Sequence, residues 1–163
     1  MVLMEGKHGV STILEGLNLA CPSGFAIALH IKFSSPRYLF QAYPLEWIAY
    51  YTANGLVMRD PTVRWGFENT GRIRWSALDV ADRSVMEKAA EYGLDFGFTV
   101  AIDTLGSRTV ASFARSDREF TDIEMVDISE LLTGLHADTL LLEGLSPEDH
   151  FALKRLSILL TRG

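Results

Sequence analysis

Tyr43, Trp47 and Tyr51 stand four residues apart, so on a helix they share one face. Tyrosine brings an O–H and tryptophan an N–H, and each needs a partner when buried. Asp60 follows nine residues after Tyr51, and Trp75 lies fifteen residues beyond Asp60. Two such donors converging with a carboxylate could orient a small, mostly apolar ligand in a pocket. The same residues also fit a plainer description, an aromatic core stripe followed by a helix cap. Asp60-Pro61 has the grammar of an N-cap with proline at the first helical position. The two roles can coexist.

Catalysis finds no support. His8, His30, His136 and His150 match no His-x-His or His-Glu-x-x-His spacing. No Gly-x-Ser-x-Gly elbow and no phosphate loop is present. The histidines read as surface or capping residues. The chain reads as a non-enzyme with no catalytic residue, no metal ligand and no cofactor. Cys21 is the single cysteine, which excludes an internal disulfide and a Cys-based zinc set.

Composition narrows the class further. With 163 residues, 48% apolar and 22% charged, the chain has the length and the side chains for one globular core. No uninterrupted apolar stretch is longer than Phe25–Leu29, far below the roughly 20 residues that span a bilayer. The N-terminus lacks the basic start and apolar stretch of a signal peptide. The expectation is a soluble, cytoplasmic protein with no membrane contact. Fifteen basic residues face 21 acidic ones, a net charge of -6, and no basic run exceeds two. Nucleic-acid affinity comes largely from Lys and Arg on phosphates, so no nucleic-acid contact by this chain is expected.

Elements must hold the aromatic set in place. Ser11 to Ala20 reads as a short amphipathic helix ended by Cys21-Pro-Ser-Gly. Phe25 to Phe33 reads as a central strand, with Arg37 to Ala42 as its hairpin partner. Helices are expected from Pro44 to about Asn54, from Pro61 to about Glu68 and from Asp82 to Tyr92. A brief strand falls at Ile73 to Ser76, and two more at Phe96 to Ile102 and Thr109 to Ala114 around Leu105-Gly-Ser. From Asp117 the period turns helical, with Ile123, Val126, Ile128, Leu131, Leu132 and Leu135 as an apolar stripe. A final helix is expected from Pro147 to Leu160, with Ser146 as its N-cap. Hairpin-joined strands with helices to cover both faces predict an α+β fold. It is a three-layer α-β-α sandwich around a mainly antiparallel sheet of about five strands.

Tyr-Pro-x-x-Trp-x-x-x-Tyr, then Asp-Pro, then Trp75, resembles the autoinducer-binding domain of LuxR-type quorum-sensing regulators. Gly93 and Gly97 fit that family's glycine-rich approach to the fourth strand. The resemblance covers about residues 10 to 142. It implies an N-acyl homoserine lactone in a buried pocket, with stabilisation and dimerisation coupled to binding. It also implies roles. Trp47 would donate to the lactone carbonyl, Asp60 would accept from the ligand amide, and Tyr43 would donate to the acyl carbonyl. Tyr51 and Trp75 would wall the lactone ring and the start of the chain. Ser112 matches a Ser or Thr position on the acyl side, and an ordinary strand serine fits equally well.

The sequence departs from the family at Ala101, where relatives usually have Pro, and at Asp103-Thr104, where they usually have Gly. These departures keep a sensor of a different small ligand among the readings, and an interaction module with a filled core is a third. Residues 1–144 are expected to form the ligand-sensing domain. Residues 145–163 begin Leu-Ser-Pro-Glu, which resembles the first helix of a LuxR-type helix-turn-helix domain. Packing of that helix on the domain or on a second subunit fits as well. Partners are then a homodimer copy, or a full-length regulator that a truncated chain would inhibit by heterodimerisation.

Overall fold

The computed structural model describes residues 2–33 and 35–141, with side chains for 9–33 and 35–140. The final helix expected after Ser146, and the residues 145–163 that contain it, lie outside the described residues. Helix α1 (Val2–Ala20) leads into the hairpin of β1 (Phe25–Lys32) and β2 (Ser35–Gln41). Then follow α2 (Leu45–Ala53), α3 (Pro61–Glu68), β3 (Gly71–Arg74) and α4 (Ser84–Ala90). The chain returns through β4 (Phe96–Thr104) and β5 (Ser107–Arg115) to the long helix α5 (Asp122–Leu141). The sheet order is β2-β1-β5-β4-β3, and every pairing is antiparallel.

Strand alternation decides what each face of the sheet does. On β1, Phe25, Ile27 and Leu29 are buried under α1 and α5, together with Phe98, Phe113, Leu14, Leu17, Ile128 and Leu132. Phe98 stacks on Phe113 at 5.1 Å and meets Phe120 edge-on at 5.0 Å. The intervening residues Ala26 and Ala28 face the other way, toward α2, α3 and α4, and leave space there. Among the described residues no helix is long and apolar enough to cross a membrane.

Boundaries differ from the sequence reading where side chains cap the chain. Helix α5 starts at Asp122 rather than Asp117. Thr121 Oγ1 accepts the Glu124 amide at 3.1 Å and Glu124 Oε1 accepts the Thr121 amide at 2.8 Å, a reciprocal capping box. Ile123, read as part of the apolar stripe, is exposed on the first turn. Asp103-Thr104, where relatives usually have Gly, needs no positive backbone angle, because those angles fall just beyond it. Leu105 (φ 58°) and Gly106 (φ 73°) make the two-residue hairpin turn, while Asp103 and Thr104 pair as ordinary strand residues.

Two histidines are a correction. His30 and His136 were expected at the surface or as caps, and both are buried with ring centroids 4.8 Å apart. A bulge between Ala28 and Ile31, where His30 takes φ 56°, turns the His30 ring toward α5. Ring nitrogens of His30 meet Ser107 Oγ at 2.7 Å and Thr139 Oγ1 at 2.8 Å. His136 Nδ1 meets Thr109 Oγ1 at 2.7 Å, and Nε2 meets the Thr104 carbonyl at 3.1 Å. Hydroxyls on β5 and α5 and a carbonyl on β4 make this burial affordable, and single-sequence spacing does not reveal them.

Candidate ligand-binding site

A cavity of about 290 Å³ opens between the alanine-bearing face of the sheet and the layer formed by α2, α3 and α4. All six sequence-predicted site residues, Tyr43, Trp47, Tyr51, Asp60, Trp75 and Ser112, line it. Their arrangement follows from local structure. Pro44 precedes α2 and starts it at Leu45, which puts Trp47 on its buried side. The Trp47 ring packs against Tyr51 at 5.6 Å and Tyr92 at 5.4 Å. Its indole N–H has no hydrogen-bond partner among the described residues and is a free donor of the site.

Asp60 holds two jobs at once. Oδ1 accepts the Thr62 amide at 2.9 Å and the Thr62 hydroxyl at 2.7 Å, which caps α3. Oδ2 accepts the Tyr51 hydroxyl at 2.8 Å and keeps further acceptor capacity. Burial, and then the neighbouring Asp60 charge, raise both phenols above the usual tyrosine range, and the Tyr51 hydrogen bond to Asp60 adds to its shift. Both therefore remain O–H donors at neutral pH.

On the floor, Tyr43 donates to the Ser112 carbonyl at 3.2 Å. The Trp75 indole donates to Thr99 Oγ1 at 3.1 Å, and that hydroxyl meets Ser112 Oγ at 2.7 Å. Arg83 holds the Trp75 turn by donating to the Trp75 carbonyl at 2.8 Å and the Leu78 carbonyl at 2.9 Å. Gly97 lets the indole lie flat on β4: a Cβ there would come within 2.6 Å of the Trp75 ring and of the Phe113 carbonyl oxygen. One row of the sheet beyond Ser112 the floor turns apolar at Leu39, Ala28 and Val110, and Val57, Val63 and Phe67 add further apolar lining.

The geometry suits a ligand with a compact polar head and an aliphatic tail. Sequence reasoning missed Thr99, Thr62 and Gln41. Thr99 and Gln41 become visible only once strand register is known, while Thr62 follows from the Asp-Pro cap. Among the described residues no group of three or more His, Cys, Asp or Glu side chains could hold a metal ion.

Residues 26–139 match the family described as the autoinducer binding domain. The transcriptional activator AhyR of Aeromonas hydrophila is 29% identical over 118 residues, covering 67% of this chain and 45% of that protein. SolR of Ralstonia nicotianae, also a transcriptional activator, is 30% identical over 118 residues, covering 70% of this chain and 48% of that protein. The chain thus spans about half the length of these relatives. Among solved structures, Escherichia coli SdiA superposes with a TM-score of 0.61 at 20% identity, over 85% of this chain and 63% of that one. The LuxR-family factor CepR2 of Burkholderia cenocepacia gives 0.56 at 16% identity, over 85% and 93%. At such identities the superpositions speak for the fold.

Proposed function

The chain belongs to the autoinducer-binding domain family of LuxR-type quorum-sensing regulators, and from that premise we propose that it is the ligand-sensing domain of a transcriptional regulator that takes up an N-acyl homoserine lactone. The observation that carries this reading is the division of one cavity. A free indole donor, a carboxylate with spare acceptor capacity and a phenol line it through linked contacts, and the row of the floor beyond Ser112 is aliphatic. Trp47 donates to the lactone carbonyl, Asp60 accepts the amide N–H through Oδ2, and Tyr43 turns from the Ser112 carbonyl to the acyl carbonyl. Tyr51 and Trp75 wall the ring and the first part of the chain, and Ser112 lies under the acyl carbonyl.

Binding stabilises the fold because it pairs the donors and fills the space. At a ligand concentration 1,000 times Kd, mass action contributes about 4 kcal/mol. Dimerisation accompanies this stabilisation, and a cytoplasmic location follows from the role. Residues 1–144 form the sensing domain.

The test is mass spectrometry of small molecules extracted from protein expressed with and without a mixture of acyl-homoserine lactones. Thermal melting and sedimentation of each sample accompany it. One retained lactone with a raised Tm and a shift to dimer is the expected result. Protein that retains none, with an unchanged Tm, would reject the reading. A second ligand class has one observation in its favour, since SdiA has been solved with octanoyl-rac-glycerol. Glycerol hydroxyls can serve Asp60 and Trp47 in place of the amide and lactone. Retention of an acylglycerol alone, undisplaced by lactones, would select that class.

A further inference from the structure

Strand register writes the cavity floor in rows. Gln41 pairs with Ala26, Ala26 with Ser112, and Ser112 with Thr99, so four strands contribute one transverse row. The next row on that face is Leu39, Ala28 and Val110. Beyond it come Pro36 and Ile31. The polar floor residues therefore share a single row beside Tyr43 and Trp75, and the tail must run along the alanine column toward Leu39.

Gln41 ends that polar row on the edge strand β2. Its side chain lines the cavity and has no hydrogen-bond partner among the described residues. A primary amide that loses its water is costly unless something else pairs with it. In the empty cavity water can do so. A wholly aliphatic tail would displace that water and leave the amide unpaired.

The separation says which part of the ligand is concerned. Two strand spacings, about 10 Å, lie between the Gln41 and Ser112 backbones. Ala26 between them is too small to obstruct, and the long Gln41 side chain closes part of the gap. With the acyl carbonyl above Ser112, the amide meets the tail within its first few carbons.

We propose that Gln41 is a specificity-determining residue, selecting acyl lactones that carry an oxygen, as ketone or hydroxyl, on the third carbon of the chain. This rests on the acyl-lactone reading of the site. The amide donates to a ketone and can donate to or accept from a hydroxyl, and an unsubstituted chain offers it nothing. Making one neutral hydrogen bond rather than leaving the group unpaired predicts a preference of about tenfold.

The experiment measures Kd by tryptophan fluorescence for 3-oxo, 3-hydroxy and unsubstituted acyl-homoserine lactones of matched length, hexanoyl to dodecanoyl. The full chain is compared with Gln41→Met and Gln41→Glu. The parent should favour both oxygenated series by about tenfold. Gln41→Met, similar in length and without polar hydrogens, should lose that preference by binding unsubstituted chains more tightly. Should the Met variant fail to fold by thermal melting, Gln41→Glu decides. A carboxylate accepts from a hydroxyl and repels a ketone, so this variant should keep the 3-hydroxy preference and lose the 3-oxo one. An oxygenated-to-unsubstituted ratio that is the same in the parent and a folded variant would overturn the proposal while leaving the lactone reading intact. A parent that binds no lactone of any series would overturn both.

Discussion

Replacing Asp60 by asparagine exchanges one oxygen for an NH2 group, and the structure separates the consequences for fold and for ligand. The asparagine oxygen can take the Oδ1 position and keep the Thr62 amide and hydroxyl, now at 2.9 and 2.7 Å. Asn and Asp are nearly equal as N-caps, so the helix should lose only a few tenths of a kcal/mol. The NH2 then occupies the Oδ2 position, where the Tyr51 oxygen, at 2.8 Å, can turn from donor to acceptor. A ligand amide N–H at that place would instead meet a donor. Losing a hydrogen bond to a charged acceptor costs about 1.5–3 kcal/mol, which weakens binding roughly ten- to 150-fold. A sharper assay pairs the variant with a lactone in which an ester oxygen replaces the amide N–H. The parent should prefer the amide ligand by that factor, because the ester oxygen faces a carboxylate. Asp60→Asn should lose or reverse the preference, with melting temperatures of the two unliganded proteins close together. An amide-to-ester ratio equal in both proteins would refute the assignment of Asp60 to the ligand amide.

Gly97→Ala should displace the Trp75 indole, because a backbone carbonyl on the other side of the new Cβ, 2.6 Å away, has nowhere to go. Urea unfolding should show a loss of about 1–3 kcal/mol, with ligand affinity falling as well. Glu124 is held down at about 2 by hydrogen bonds from Arg118 and the Thr121 amide, against an ordinary value of 4.5. Its contribution to stability is therefore complete above about pH 4.5 and fades as pH falls toward 2. Glu124→Gln should be less stable than the parent at pH 7, and the two denaturation curves should converge near pH 2; a gap that persists there would contradict the capping account. Cys21 is buried, and burial pushes its thiol up to about 12. Iodoacetamide at pH 8 should label it only through unfolding, and a stabilising lactone should slow the reaction further; labelling at the rate of a free thiol would show that the helix-side core opens without unfolding.

How much of this was legible in the chain depends on the range of the contacts. Asp60-Pro61 predicted the cap and the limits of α3 because a cap is a contact two residues long. The strands from Phe25 and Phe96 were legible because their apolar residues run nearly unbroken. The helix of the Asp82 region is shorter than read, spanning Ser84–Ala90, since Asp82 Oδ1 caps the Ser84 amide at 2.9 Å and the residues beyond Ala90 turn away. His30 and His136 were misread because their partners lie 77 and 109 residues from His30, and 27 and 32 residues from His136. Thr99 and Gln41 stayed hidden for the same reason. On a strand, whether a polar side chain faces a cavity is fixed by register with strands elsewhere in the chain. The family's spacing brought out six residues that line the cavity, but it carried no information about the sheet row beneath them.

The segment Phe25-Ala-Ile-Ala-Leu29 holds the physical link between the core and the cavity. Its odd positions are large and fill the core under α1 and α5, while its even positions are alanines that floor the cavity. One strand therefore closes one face of the sheet and leaves the other unfilled. The space of about 290 Å³ is lined largely by apolar side chains, which lack packing partners wherever no atom fills it. Larger residues at Ala26 and Ala28 would fill part of that space and gain the missing contacts, as a ligand seated there would. The alanines thus make stability itself a quantity that a ligand bound in this cavity would change.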